Sequence, residues 1–124
     1  MQSRSQALRA VKVGDVIFGI AEGGQPKLLL VYEADESGFW VRHVTSQTTA
    51  RFGRDGQSRW TPDGGSGTIV STAALPPRMR EVAIGLDRKM GTGKEYPDFV
   101  LSEAEIELLR TYKNFFNLHP LPSE

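Results

Sequence analysis

From Asp15 onward the chain alternates with a period of two. Val16-Ile17-Phe18 follows the turn pair Gly14-Asp15 and predicts a first strand over Asp15 to Ala21. Gly23-Gly24-Gln25-Pro26 interrupts it. Leu28 to Ala34 is the strongest strand. The period places Leu28, Leu30 and Tyr32 on one face and Leu29, Val31 and Glu33 on the other. Both faces are apolar at its start, which predicts a central position in the sheet. Asp35-Glu36-Ser37-Gly38 has hairpin length, and Phe39 to Thr45 returns. In that strand Phe39, Val41, His43 and Thr45 share one face, and Trp40, Arg42, Val44 and Ser46 the other. Thr48 to Phe52 leads to Asp55-Gly56, a hairpin signal because a type I′ turn needs positive φ at both positions. Gln57 to Thr61 comes back, a loop spans Pro62 to Gly67, and Thr68 to Thr72 is the last strand.

Five or six short strands within residues 13–72 leave no room for parallel crossovers, so the sheet must be antiparallel. Strands this short curl into a small barrel that protects their edges. The period then changes to that of helices. Pro77 suits a first turn, and Met79, Val82, Ala83, Leu86 and Met90 form a stripe over residues 77–90, ended by Gly91-Thr92-Gly93. Ser102-Glu103-Ala104-Glu105 is a capping box opening a helix over residues 103–117. Its predicted buried stripe is Ile106, Leu109, Tyr112 and Phe116, widened by Leu108 and Phe115. Residues 1–12 read as a polar leader with a short helical turn at Ala7 to Ala10. The expected fold is α+β: one domain over residues 1–124, an antiparallel β-barrel followed by two C-terminal helices.

Composition narrows the chemistry. The 124 residues carry 15 basic and 15 acidic side chains, so whole-chain charge gives no support to polyanion binding. The distribution is uneven. Arg42, Arg51, Arg54 and Arg59 against Asp55 give +3 over residues 39–61. Six acids against Arg110 and Lys113 give −4 over residues 95–124. There is no cysteine, which excludes disulfides and thiolate chemistry and makes a reducing cytoplasm the expected compartment. No apolar segment is long enough to enter a membrane.

Most motifs resolve into local structure. Gly91-Thr92-Gly93-Lys94 lacks the flanking residues of a phosphate loop, with Arg88 and Glu95 at the required positions. Gly65-Ser66-Gly67 lacks the third dinucleotide-binding glycine, where Val70 stands. His43 and His119 are the two histidines, and neither has clustered carboxylates, so no metal or other cofactor is expected. Strand alternation pairs His43 in direction with Thr45 and not with Ser46. The constellation that carries chemistry is Arg42, Arg51, Arg54, Arg59 and Trp60. Arginines and aromatic rings on a curved sheet hold single-stranded nucleic acid by phosphate contact and base stacking.

The middle of the chain resembles the PemK/MazF family of toxin endoribonucleases. The matching residues are Val13-Gly14-Asp15-Val16-Ile17, Pro26-Lys27-Leu28-Leu29-Leu30-Val31 and Val44-Thr45-Ser46-Gln47, within about residues 13–75. The resemblance implies a small SH3-like barrel, a cytoplasmic toxin–antitoxin setting and RNA as substrate. It implies a catalytic Thr45 with His43 near the scissile phosphate. The family's arginine falls on Gln25, a neutral amide, which leaves Lys27 or Arg42 as the cation to stand in for it. The expectation is therefore a barrel that contacts single-stranded RNA or a protein partner through the Arg42 to Trp60 face, with RNA cleavage as its enzymatic form. The alternative is a protein–protein module or homodimer built on the C-terminal helix, where an exposed Phe115-Phe116 pair would mark the interface and a buried pair would be core.

Overall fold

The computed structural model of the chain describes residues 2–59, 67–92 and 100–123. The elements are α1 (Arg4–Arg9), β1 (Val16–Ala21), β2 (Pro26–Asp35), β3 (Gly38–His43), β4 (Thr49–Gly53), β5 (Ser58–Arg59), β6 (Gly67–Ser71), α2 (Pro77–Met90) and α3 (Glu103–Asn117). The strands form one antiparallel sheet in the order β5-β4-β3-β2-β1-β6. Its two edges meet where Gln57 bridges Thr68 and the Ile69 amide donates to the Gly56 carbonyl at 2.8 Å. The sheet is thus a half-barrel, and with α2 and α3 it makes the α+β fold that the periodicities predict.

The alternation of β1 and β2 divides the core in two. Ile17, Leu29 and Val31 point inward with Phe39, Val41, Phe52 and Ile69. Val16, Phe18, Leu28 and Leu30 point outward and are covered by Ala83 and Leu86 of α2 and by Leu108, Tyr112 and Phe116 of α3. Phe18 stacks on Phe116 at 5.4 Å and meets the edge of Tyr112 at 5.9 Å. This two-sided burial is why β2 reads as apolar on both faces at its start.

Several expectations are corrected. The leader is not merely polar: Arg4–Arg9 is helical, with Ser3 and Gln6 forming a capping box. It buries Ala7 and Leu8, and Leu8 and Val11 join the inner core. Arg54 fixes this segment by donating to the carbonyls of Leu8 (3.0 Å) and Val11 (2.8 Å). The helix therefore closes one end of the half-barrel. Alternation in β2 fails at Tyr32, because a bulge between Val31 and Glu33 pairs Glu33 with Trp40 and returns Ala34 to the inner core. Bulges insert one residue and switch the faces beyond it. At Asp55-Gly56 only Gly56 has positive φ (80°), and the Gly53 amide donates to the Gln57 carbonyl while its own carbonyl accepts from the Gly56 amide, so the hairpin is not type I′. In α3 the buried stripe is Glu105, Leu108, Tyr112 and Phe116, while Ile106 is 43% exposed. Glu105 can lie inward because Lys89 of α2 pairs with it at 2.7 Å and it caps the Ser102 amide.

Candidate nucleic-acid interface

The side chains packed against α2 and α3 come from β1, β2, β6 and the turn after β3. On the outer side of β3, β4 and β5, the register aligns Trp40 with Arg51 and Arg51 with Arg59. Trp40 and Arg51 are partly exposed and Arg59 is exposed. The Arg51 guanidinium lies 5.6 Å from the Trp40 ring, and that of Arg42 lies 5.3 Å from the Tyr32 ring. The bulge that turns Tyr32 outward beside Glu33 brings this second ring to the same side. Here the outer sheet surface carries two aromatic–arginine pairs in neighbouring strands. Such rings offer stacking faces, and the guanidinium groups offer forked donors to phosphate.

The other members of the predicted constellation divide. Arg51 donates to the Ser37 hydroxyl at 2.7 Å and lies 3.6 Å from the Asp35 carboxylate. Arg59 pairs with Asp55 at 3.0 Å, and this hydrogen bond holds the Asp55 carboxyl below its ordinary range. Arg54 does not belong to the surface: it spans Asp35, Leu8 and Val11 and lies 5.5 Å from the Phe39 ring. Trp60 lies outside the described residues.

Arg42 has a second commitment that sequence spacing does not reveal. Its Nε and Nη2 donate to the two carboxylate oxygens of Asp87 in α2, at 2.9 and 2.7 Å. Gln47 donates to Asp87 Oδ1 at 3.0 Å and to the Val44 carbonyl at 2.9 Å. Asp87 is 4% exposed. Burial alone pushes its carboxyl up, but the hydrogen bonds from Arg42 and Gln47 outweigh it and the net displacement is downward. The same pairing raises the Arg42 guanidinium. Arg42 thus clamps α2 to the sheet. The forked donor geometry needs two parallel acceptors, which Asp87 supplies.

Among the described residues, the end of the half-barrel opposite α1 is open. There β3 ends at His43, two residues earlier than the alternation predicts, because the Gln47 amide donates back to the His43 carbonyl and Gln47 adopts φ +63°. This turn brings both neighbours to the ring. His43 Nδ1 is 2.9 Å from the Ser46 hydroxyl and Nε2 is 3.2 Å from the Thr45 hydroxyl. Ser46 is in turn 2.9 Å from the Thr48 hydroxyl. The strand-based expectation that Ser46 faces away from His43 is therefore corrected. Burial, together with the nearby Lys27 ammonium, pushes His43 down to about 4. The imidazole is neutral at pH 7, and a base with that value is not poised for acid–base catalysis near neutrality. Of the two cations weighed as stand-ins for the arginine missing at Gln25, Lys27 stands by His43 and Arg42 is turned to Asp87.

Among the described residues, no cluster of three or more His, Asp or Glu side chains could hold a metal, and no helix is long and apolar enough to cross a membrane. Phe116 is fully buried, and Phe115, partly buried, packs on it at 5.3 Å. Compared with known protein families, curated proteins and solved structures, the chain matches none.

Proposed function

We propose that this chain binds single-stranded RNA, without cutting it, on the outer side of β3, β4 and β5. The observation that supports this reading is the row of aromatic–arginine pairs, Trp40 with Arg51 and Tyr32 with Arg42, on the outer sheet surface beside the point where α2 pairs with Arg42. Bases stack on the rings, and Arg51 and Arg59 meet the phosphates. Their partners Asp35 and Asp55 are more than half exposed, so exchanging a carboxylate for a phosphate breaks no buried pair. Arg42 contributes through its position on Tyr32 and stays bound to Asp87.

A second reading is a diverged endoribonuclease of the PemK/MazF type at the open end. Its support is the meeting of Thr45, Ser46 and Thr48 hydroxyls with His43 and Lys27. Against it stand Gln25 in place of the arginine and an imidazole far from the pH where it would exchange protons. A Lys ammonium provides one point charge where a guanidinium would provide a fork. Titration of labelled single-stranded RNA at low and high salt, with product length read on a gel, separates the readings. Salt-sensitive binding with uncut RNA is expected. Cleavage that Thr45→Ala abolishes would instead establish the nuclease.

A further inference from the structure

We infer that the groove between the last turn of α2 and the turn after β3 seats one phosphate of the RNA backbone, held by Arg88 and by the Nη1 donors of Arg42. This rests on the RNA-binding reading and extends its path from the sheet onto α2. The groove holds about 340 Å³ and is lined by Arg42, Gln47, Asp87, Arg88, Gly91 and Thr92. Arg42 belongs to both surfaces. Its guanidinium lies over the Tyr32 ring on the outer side of the sheet, and it also lines the groove. A strand lying on the sheet therefore reaches the groove at Arg42.

Two guanidinium groups and one carboxylate line the groove, which leaves one positive charge in excess. Asp87 engages Nε and Nη2 of Arg42, so Nη1 is left to donate elsewhere. Arg88 is exposed and has no hydrogen bond or ion pair among the described residues. Arg9 shares that condition. The other arginines are committed to a carboxylate, a hydroxyl or a backbone carbonyl. The macrodipole favours a cation in the last turn of a helix and disfavours an anion there. In α2 that negative end is partly covered. The Gly91 amide donates to the Asp87 carbonyl at 2.9 Å, and the Thr92 hydroxyl donates to the Lys89 carbonyl at 3.2 Å. The two unesterified oxygens of a backbone phosphate can accept from the two guanidinium groups at once, and water in the open groove completes the shell. A peptide carboxylate would satisfy the same donors. The Tyr32 and Trp40 rings on the adjoining sheet are what favour a nucleic acid.

The test is fluorescence anisotropy on the full chain with labelled oligo-U across a salt series, for the wild type, Arg88→Ala and Arg9→Ala. Each variant loses one exposed arginine, so both change the net charge alike, but Arg9 lies on α1 at the other end of the half-barrel. Losing one phosphate contact on a single strand lowers the slope of log K against log salt by about 0.7. Arg88→Ala should therefore bind about eightfold more weakly at about 50 mM salt, about threefold more weakly at about 200 mM, and like the wild type near about 1 M. Arg9→Ala should keep the wild-type slope. An unchanged slope in Arg88→Ala, or a loss that Arg9→Ala matches, would overturn the seat and leave RNA binding intact. No binding by the wild type at the lowest salt would overturn both. Inorganic phosphate at constant ionic strength should leave the Tm of the wild type and of Arg88→Ala alike. A rise confined to the wild type would make the groove a site for the free ion and overturn its assignment to the RNA backbone.

Discussion

Replacing Arg42 by alanine tests whether the Asp87 pair is a structural clamp. The substitution leaves the Asp87 carboxylate, whose side chain is 6% exposed, with Gln47 as the hydrogen-bonding partner that remains from the site. Breaking one side of a buried pair costs about 3–5 kcal/mol. The Arg42 side chain is 30% exposed, so water reaches the space it vacates and the lower end applies, about 3 kcal/mol. Asp87→Ala is not the mirror image. It frees a guanidinium that can turn to solvent while staying over Tyr32, and the expected cost is about 1–2 kcal/mol. At this chain length 1 kcal/mol corresponds to about 3–5 °C in Tm, so the first variant should melt about 9–15 °C lower and the second about 3–10 °C lower. Urea unfolding gives both values directly. The double variant should lose less than the sum, since the second change removes a group already without its partner. The sign with pH follows from the lowered Asp87 carboxyl. Its contribution is present above the ordinary 3.8 and is lost as pH falls through the lower folded value. Arg42→Ala should therefore flatten part of the acid limb of the stability curve. Equal losses below about 0.5 kcal/mol for both single variants, the range of a surface pair, would refute the clamp.

Three further outcomes follow. Phe116→Ala should cost about 3–5 kcal/mol in urea unfolding, because the ring is fully buried against Phe18, whereas Ile106→Ala, on the exposed side of α3, should cost less than about 1 kcal/mol. Gly56→Ala should destabilise by about 1–3 kcal/mol, since φ is +80° and a Cβ would press on Leu8 at 3.3 Å; Gly85→Ala, in open space on α2, should stabilise slightly. His43 should titrate near 4 by NMR; its neutral form contributes stability that is complete above pH 6.5 and declines as pH falls toward 4, by about 3 kcal/mol at most, and His43→Gln should remove that slope while a titration near 6.5 would refute the buried setting.

The strands, the antiparallel pairing and the two helices were legible because short-range patterns decide them. Leu28 to Val31 announces burial on both faces, and Ser102 announces the start of α3 by its own hydrogen bonds. The departures share a cause: each is set by a partner distant in sequence or by an inserted residue. The Tyr32 bulge shifts a register that alternation assumes to be regular. Glu105 replaces Ile106 on the buried side because Lys89, sixteen residues earlier, neutralises it. Asp87 lies 45 residues from Arg42, and no local pattern connects them. The leader helix did carry a signal, since Ser3-Arg4-Ser5-Gln6 has the spacing of a capping box. At the site, the sequence grouped Arg51 and Arg59, which the register aligns, with Arg54, whose donors are spent on Leu8, Val11 and Asp35. His43 and Thr45 were legible as a pair. Ser46 was not, because the strand ends before it.

The most direct test of the RNA-binding reading is the affinity for single-stranded RNA at two salt concentrations, measured for the wild type and for Trp40→Ala combined with Arg51→Ala. Binding that weakens with salt and falls at least tenfold in the variant is the predicted result, since stacking on a ring is worth about 1–3 kcal/mol per base and a lost phosphate contact lowers the salt slope by about one. RNA binding by the wild type that the double variant retains at equal strength, or no binding at low salt, would contradict it.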